Sequence, residues 1–324
     1  MRRGFCAVTL ALPLTKRYDW AMRVLIVGCG YVGLPLGMEL VRQGHTVFGL
    51  RRRVAAEAQL LAAGITPLAG DITKPETLAP LPRDFDWVVN CVASGGGDAA
   101  GYRQIYWQGT ANLLAWLAPH PPQKFLYTSS TGVYGQDDGS TVKESSPTEP
   151  AAETARVLVE TEKLLLAAQA SQQVPAVILR VAGIYGPGRG YAFKQFLKNE
   201  ARIEGDGSRV MNMIHRDDLI GCIISALQSS RPGEIYNAVD DEPVTQLHFY
   251  TWLAATLGKN PPAHVPENPE GTRKRGVTNK RVSNRKLKME LGWPFRYPNF
   301  RMGYSAEILR LERAGELDVE VEEA

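Results

Sequence analysis

The residues best suited to chemistry form a glycine turn near the start of the chain, Gly28-Cys29-Gly30-Tyr31-Val32-Gly33. The aliphatic run at residues 24–27 precedes this turn and predicts a strand buried on both faces, while residues 34–43 predict a helix. Glycines at the first, third and sixth places let a backbone approach a phosphate, and the first helical turn favours an anion. We therefore predict a dinucleotide site rather than an ordinary turn. The expected contacts are Gly28, Gly30, Tyr31, Val32 and Gly33.

The end of the second predicted strand, residues 46–50, bears on which dinucleotide is bound. NAD sites usually place an acid there to hold the ribose 2′-hydroxyl, whereas arginine accommodates a 2′-phosphate. This chain has Arg51-Arg52-Arg53 and no acid. We predict NADP(H), with Arg51 and Arg52 as contacts. NAD(H) is the alternative cofactor, and a solvated basic turn is the alternative interpretation of the arginines.

Further strands are predicted at residues 65–69, 87–93 and 125–129, alternating with helical segments as in a doubly wound parallel sheet. Asp71-Ile72 follows the third strand and Ala93 ends the fourth, so all three are expected at the cofactor edge. Asp71 would lie near the adenine or cap the next helix.

Composition limits the classes of partner and cofactor that we expect for this chain. The 324 residues are 44% hydrophobic with a net charge of +3, which demands neither a nucleic-acid nor a membrane partner. The four cysteines lack metal-ligand spacing, so we predict no metal site and reduced thiols in the cytoplasm. A basic stretch at 273–288 has little aromatic interleaving and is offset by an acidic tail. Residues 1–21 are interpreted as a disordered extension or a misassigned start, with Met22 as the alternative start.

Besides the glycine turn and Asp71-Ile72, further short segments follow in order: Gly109-Thr110-Ala-Asn112, Tyr127-Thr-Ser-Ser-Thr-Gly-Val-Tyr-Gly135, Leu179-Arg180, Ile184-Tyr-Gly-Pro187, His215-Arg-Asp-Asp218 and Leu291-Gly-Trp293. Taken together, these segments resemble the extended short-chain dehydrogenase/reductase superfamily, in particular its NAD-dependent epimerase/dehydratase family. The resemblance covers about residues 22–305.

The resemblance implies an α/β fold: a doubly wound parallel-sheet Rossmann domain and a smaller C-terminal α/β substrate domain. The Rossmann domain would span 22–180, with 210–240 returning to it. Residues 181–209 and 241–324 would form the substrate part. It also implies a homodimer through helices at 102–118 and 153–170, and a small anionic substrate whose diphosphate is held by Arg209 and Arg281.

The family's chemistry uses a Ser or Thr, and a Tyr and a Lys four residues apart on one helix face, where the ammonium lowers the phenol pKa. Ser130 matches the serine. The pair is absent: Glu153 and Val157 fall at the two places in our alignment, and no tyrosine in the chain has a lysine four residues later. This departure resembles the atypical members of the superfamily.

A tyrosine from a neighbouring segment could replace the missing phenol. Tyr134 is our tentative proton donor beside Ser130, with Tyr102, Tyr106 and Tyr185 on other segments that face the cleft in the family. The predicted function is hydride transfer at a carbonyl or secondary alcohol, with sugars and nucleotide sugars as candidate substrates. The alternative is an NADP-binding regulator or assembly factor without turnover.

Overall fold

A computed structural model describes residues 21–52, 57–95, 97–171, 174–266 and 278–317. The predicted N-terminal extension and Arg53 therefore lie outside the described residues, apart from residue 21. The strands are β1 (Arg23–Val27), β2 (Thr46–Arg51), β3 (Thr66–Ala69), β4 (Trp87–Asn90), β5 (Lys124–Ser130), β6 (Thr141–Val142), β7 (Ala176–Val181), β8 (Gly183–Tyr185), β9 (Ile203–Glu204), β10 (Val210–Met211), β11 (Met213–His215), β12 (Ile235–Ala238), β13 (Val244–Thr245), β14 (His264–Val265) and β15 (Arg281–Val282).

The main sheet contains seven parallel strands in the order β12-β7-β5-β4-β1-β2-β3. β1, β4 and β7 are almost entirely buried. This burial explains their continuous aliphatic runs, because helices cover both faces of a parallel sheet. The order confirms the predicted doubly wound fold. Since all seven strands run the same way, their carboxyl ends meet at one edge, where ligands bind in such sheets.

The helices are α1 (Gly33–Arg42), α2 (Glu57–Ala62), α3 (Pro75–Leu78), α4 (Ala99–Tyr102), α5 (Gly109–Leu117), α6 (Glu153–Ala170), α7 (Tyr191–Leu197), α8 (Arg216–Ser229), α9 (Gln246–Leu257), α10 (Arg285–Leu291) and α11 (Phe300–Ala314). A π-helical segment, Arg103–Gln108, joins α4 to α5. α7 ends at Leu197, and Asn199 then takes a left-handed conformation with φ 60°.

A second, smaller core lies in the C-terminal part of the chain and contains many aromatic rings. Tyr185 stacks on Tyr304 with ring centroids 4.5 Å apart, and Phe249 packs against Tyr304 and Phe300. Residues 210–215 form two short strands, β10 and β11, separated by Asn212, whose side chain bonds to the backbone of β15 and of the residue before it. Asn212 thus joins these two strands to β15.

Candidate active site

A long open cleft of about 1620 Å³ runs along the carboxyl edge of the main sheet and continues into the C-terminal part. One end is formed by the glycine turn and the tips of β2 and β3. The other is formed by Ser130, the residues after β7, and the segments around Arg209 and Lys280. We name these the nucleotide end and the reaction end.

The three glycines of the turn differ in the space around them. A Cβ on Gly28, whose φ is 93°, would lie 3.0 Å from the Cys91 backbone, and a Cβ on Gly33 would lie 2.4 Å from the Gly28 oxygen. These two glycines allow the turn and the packing of α1 against β1. A Cβ on Gly30 would meet nothing within 4 Å. The space beside Gly30 is therefore open for a ligand.

The start of α1 has the chemistry of a phosphate site. Val32 at its N-cap offers no side-chain hydrogen bond, and its first turn carries no acid. The positive end of the helix dipole is thus uncompensated by its own side chains, which favours an anion. The open space beside Gly30 and this helix start together fit the pyrophosphate of a dinucleotide.

Tyr31 forms one wall beside this turn. Its ring lies under two guanidinium groups, with Arg189 at 4.9 Å and Arg216 at 5.3 Å from the ring centroid. Arg216 also pairs with Asp217 at 2.9 Å, whereas Arg189 borders the cleft. Arg189 therefore adds positive charge to the nucleotide end. The sequence did not predict this contact, because Arg189 is far from the glycine turn along the chain.

The other predicted cofactor residues mostly line the cleft. Arg51 and Arg52 stand at the tip of β2, and Arg51 makes a 3.4 Å hydrogen bond to the amide oxygen of Gln59. Asp71 accepts hydrogen bonds from the backbone N–H and hydroxyl of Thr73, so it stabilises the turn before α3 as well as facing the cleft. The predicted contacts that border the cleft are Gly28, Gly30, Tyr31, Val32, Arg51, Arg52, Asp71, Ile72 and Ala93; Gly33 lies beneath it.

Ser130 borders the reaction end. It ends β5, and its hydroxyl accepts a 3.1 Å hydrogen bond from the N–H of Gly132, capping the short 3₁₀ turn Thr131–Val133. Ser129 also borders the cleft but donates to buried Glu162 at 2.6 Å. The arrangement fixes the Ser130 side chain at the cleft wall.

Tyr134 does not reach this wall. Its ring is fully buried, and its hydroxyl donates to Asn237 at 2.8 Å and accepts from Arg180 at 2.9 Å. Arg180 in turn pairs with buried Glu162 at 2.7 Å. Burial raises the pKa of Tyr134 despite the adjacent guanidinium. The structure therefore places this phenol in a structural network of the core and not beside Ser130.

Helix α6, which corresponds to the helix that carries the catalytic pair in the family, presents to the cleft a different face from the one that our alignment predicts. Leu158 is the residue of α6 that borders the cleft, whereas Val157 is buried inside the fold. Successive helical residues point about 100° apart, so an alignment error of one residue moves the expected pair to a different face. The residue one turn before Leu158 is Thr154. The predicted positions Glu153 and Val157 are thus corrected to Thr154 and Leu158, which are again neither tyrosine nor lysine.

Two of the other tyrosines do border the cleft. Tyr102 directly precedes the π-helical segment and Tyr106 lies within it, with their rings 5.1 Å apart, and the Tyr106 hydroxyl accepts a 3.2 Å hydrogen bond from the Ser94 N–H. Tyr185 is buried in the second core and donates to the Asn299 carbonyl at 3.3 Å, and burial raises its pKa. Tyr106 is therefore a phenol placed at the cleft by a local helix distortion of a kind often found at functional sites.

The two predicted substrate arginines differ in position. Arg209 borders the cleft and pairs with Glu204 at 3.3 Å. Arg281 is exposed and donates to the Gly139 carbonyl at 2.8 Å, so it holds the loop before β6 instead of facing the cleft. Its neighbour Lys280 is buried and borders the cleft. Adjacent residues of an extended segment point to opposite sides, so Arg281, the residue predicted from the sequence, points outward while Lys280 points inward.

Two features are absent from the described part of the chain. Among those residues, no group of three or more His, Cys, Asp or Glu side chains is arranged to hold a metal ion. Within the same ranges, no helix has the length and apolar character needed to span a membrane.

Comparison with known proteins agrees with this architecture. Residues 24–238 match the model of the NAD dependent epimerase/dehydratase family. Protein YeeZ of Escherichia coli is 31% identical over 86% of this chain and 97% of its own length. The 3-diazoavenalumate denitrifying reductase of a Streptomyces species is 26% identical over 88% of this chain and its full length. DesIV of Streptomyces venezuelae, a dTDP-glucose 4,6-dehydratase solved with NAD bound, superposes with a TM-score of 0.77 at 23% identity over 90% of this chain and 97% of DesIV. The DesIV likeness concerns the fold, whereas the family match and the YeeZ relationship show that the chain belongs to the NAD-dependent epimerase/dehydratase family.

Proposed function

We propose that this protein is an NADP(H)-dependent oxidoreductase or epimerase-like enzyme that acts at a carbonyl or secondary alcohol. One observation carries the proposal: the glycine turn and Ser130 border the same continuous cleft. When bound, the dinucleotide supplies or accepts hydride. The protein's own part is to hold the pyrophosphate at Gly30 and α1, and to present the Ser130 hydroxyl to a substrate oxygen.

The preference for NADP(H) rests on the tip of β2. Arg51 and Arg52 border the cleft, and the described residues at the end of β2 include no Asp or Glu. A guanidinium matches a 2′-phosphate by charge-assisted hydrogen bonds, whereas it offers no acceptor for a ribose 2′-hydroxyl. DesIV, which shares the fold, is solved with NAD bound, so the arginines are the reason for proposing the phosphorylated form here.

We further propose an anionic substrate of the nucleotide-sugar class. Arg202, Arg209 and Lys194 on α7 border the cleft together with Glu200 and Glu204, so this wall of the C-terminal part carries a net positive charge. Arg209 is the main candidate for a diphosphate contact. DesIV, which shares the fold, is itself a nucleotide-sugar enzyme. Arg281 remains part of the proposal only through its effect on the neighbouring loop, since its guanidinium faces Gly139.

Binding and turnover together test the proposal. NADPH and NADH are titrated by fluorescence, and NADPH oxidation is screened against aldehydes, ketones and nucleotide sugars with keto groups. We expect NADPH to bind at least tenfold more tightly than NADH and at least one carbonyl class to be reduced. Ser130→Ala should lower kcat while leaving the NADPH Kd unchanged. Equal affinity for the two dinucleotides would refute the cofactor preference.

A second candidate is supported by α6. Leu158 occupies the cleft face where the family places its lysine, and Thr154 precedes it by one turn. This favours a dinucleotide-binding regulator or assembly factor without turnover. Tight NADPH binding with no oxidation by any carbonyl compound would support this candidate and reject the first one.

The proposed assembly is a homodimer. A shallow apolar groove lies between α5 and α6 and is lined by small and aliphatic side chains. A salt bridge of 2.6 Å between Arg103 and Glu160 links the π-helical segment to α6. The same two helices are implied by the family resemblance. Sedimentation equilibrium with Ala115→Arg, a charge placed in this groove, tests the dimer, which the substitution should dissociate.

A further inference from the structure

Lys280 is a buried lysine at the reaction end of the cleft. The residue is only 4% exposed, yet it borders the cleft. Its ammonium donates to the Tyr134 carbonyl at 3.0 Å and to the Thr278 hydroxyl at 2.7 Å. Asn212 fixes the backbone on either side, because its side chain donates to the Lys280 carbonyl at 2.9 Å and accepts from the Val282 N–H at 2.8 Å. The side chain is thus positioned by three separate parts of the chain.

Among the described residues, no carboxylate forms a salt bridge with Lys280, and both acceptors of its ammonium are neutral oxygens. Two charged or titratable neighbours are engaged elsewhere: Arg281 donates to Gly139, and the Tyr134 phenol bonds Arg180. An ammonium has three donors, so one N–H is left for a ligand. Burying a cation without a counter-ion is costly, which favours a functional reason for its position.

Lys124 shows what a half-buried lysine with a structural role does in the same molecule. Its ammonium donates to the carbonyls of Ala226 and Ser230, where α8 ends, so it compensates the negative end of a helix dipole. Burial lowers the pKa of Lys124 to about 8, and it does the same to Lys280. Lys124 does not border the cleft. The two lysines share a lowered pKa and differ in their burial and in their access to the cleft.

We infer that Lys280 is the proton donor and acceptor of the reaction, in place of the missing tyrosine and lysine pair. This inference rests on the proposed function. The Tyr134 carbonyl that Lys280 contacts follows the short turn capped by Ser130, so the two side chains flank the same turn. Leu158 brings no charge to this end. Ser130 and Lys280 together supply a neutral and a charged hydrogen-bond donor for one substrate oxygen.

The proton balance is simple. In the reducing direction a bound dinucleotide would supply hydride to the substrate carbon and would itself be oxidised, while Lys280 Nζ donates a proton to the carbonyl oxygen. An O–H bond forms while an N–H bond breaks, and its electron pair stays on nitrogen. The neutral amine then recovers a proton from water. In the oxidising direction the neutral amine accepts the hydroxyl proton.

Three variants test the inference. Lys280→Met keeps the side-chain length without charge, Lys280→Arg keeps a charge that is not released near neutral pH, and Lys124→Met is the matched control. General acid catalysis contributes about 10²–10⁴-fold, so Lys280→Met should lower kcat for carbonyl reduction by about 10²-fold or more. Its NADPH Kd should change less than twofold. Lys280→Arg should keep KM near the wild-type value with a low kcat, and Lys124→Met should keep the wild-type kcat.

The pH dependence gives a signature that a structural role would not produce. A lysine with a pKa of about 8 loses its proton above that pH, so wild-type carbonyl reduction should slow above about pH 8 and alcohol oxidation should speed up. The residual activity of Lys280→Met should lack this limb. Independently of turnover, lysines dimethylated with ¹³C-formaldehyde are titrated by NMR in the protein without ligand. The resonance absent from Lys280→Met should titrate near pH 8.

The outcomes separate the two proposals. A wild-type protein that oxidises NADPH with no carbonyl compound overturns the proposed function and the role of Lys280 with it. Turnover by the wild type together with an unchanged kcat in Lys280→Met overturns the Lys280 role alone. A Lys280 resonance that titrates above pH 10 also overturns it, whereas loss of kcat with retained NADPH binding and a vanished alkaline limb supports it.

Discussion

The two ends of the cleft are built in opposite ways. At the nucleotide end, one continuous segment supplies the strand, the turn and the helix start, and Gly28 and Gly33 lie where a Cβ would meet neighbouring backbone. At the reaction end, Ser130, Leu158 and Lys280 come from β5, α6 and the segment before β15. The binding function is therefore set by local sequence, whereas the chemistry depends on side chains that only the tertiary fold brings together.

The largest effect is expected from filling the open space at the nucleotide end. Gly30→Asp adds a side chain where nothing lies within 4 Å, so the fold should tolerate it, but its carboxylate would face the pyrophosphate. We expect NADPH binding to weaken by more than about 100-fold, corresponding to about 2.7 kcal/mol, with little change in Tm. Fluorescence titration and thermal melting measure the two.

Gly33→Ala is the contrasting variant. Its Cβ would lie 2.4 Å from the Gly28 oxygen, so it should lower Tm as well as affinity. If Gly30→Asp binds NADPH as tightly as the wild type, the pyrophosphate does not lie at this turn.

The next effect concerns the tip of β2. Replacing Arg51 and Arg52 together by alanine removes two guanidinium groups from the cleft. A hydrogen bond to a charged group contributes about 1.5–3 kcal/mol, so NADPH affinity should fall about tenfold to 100-fold while NADH affinity changes little. Paired titrations of the two dinucleotides measure this ratio. Arg42→Ala, which removes an exposed arginine paired with Glu39, is the control and should leave both affinities unchanged.

The same contrast explains how much of the fold and of the candidate site could be predicted from the sequence. The glycine turn and the parallel sheet were predictable because their signals, glycine spacing and buried aliphatic runs, lie within short segments. The expected pair at Glu153 and Val157 was displaced by one residue, since a helix changes face with each residue and sequence alone did not fix the rotation of α6. Lys280 was missed because its burial depends on Asn212 and Tyr134, which are far away in the chain.

A smaller effect should distinguish Tyr134 from Ser130. Tyr134→Phe removes the acceptor of Arg180 and the donor to Asn237, both buried, so it should lower the free energy of unfolding by about 1–3 kcal/mol. Because the hydroxyl does not border the cleft, kcat should stay within about threefold of the wild type. Urea unfolding and NADPH oxidation measure the two quantities. A loss of kcat without loss of stability would contradict the position of this phenol.

The smallest effect is expected from Arg281→Ala. Its guanidinium donates to the Gly139 carbonyl at 2.8 Å and faces away from the cleft, so the Kd for UDP or dTDP should change less than twofold. Arg209→Ala removes a guanidinium that does border the cleft and should weaken the same nucleotides about tenfold or more. Isothermal titration calorimetry with both diphosphates compares the variants. Equal losses for the two would mean that the substrate reaches beyond the cleft to the loop before β6, and the reaction end would then include the outward as well as the inward side of residues 280–281.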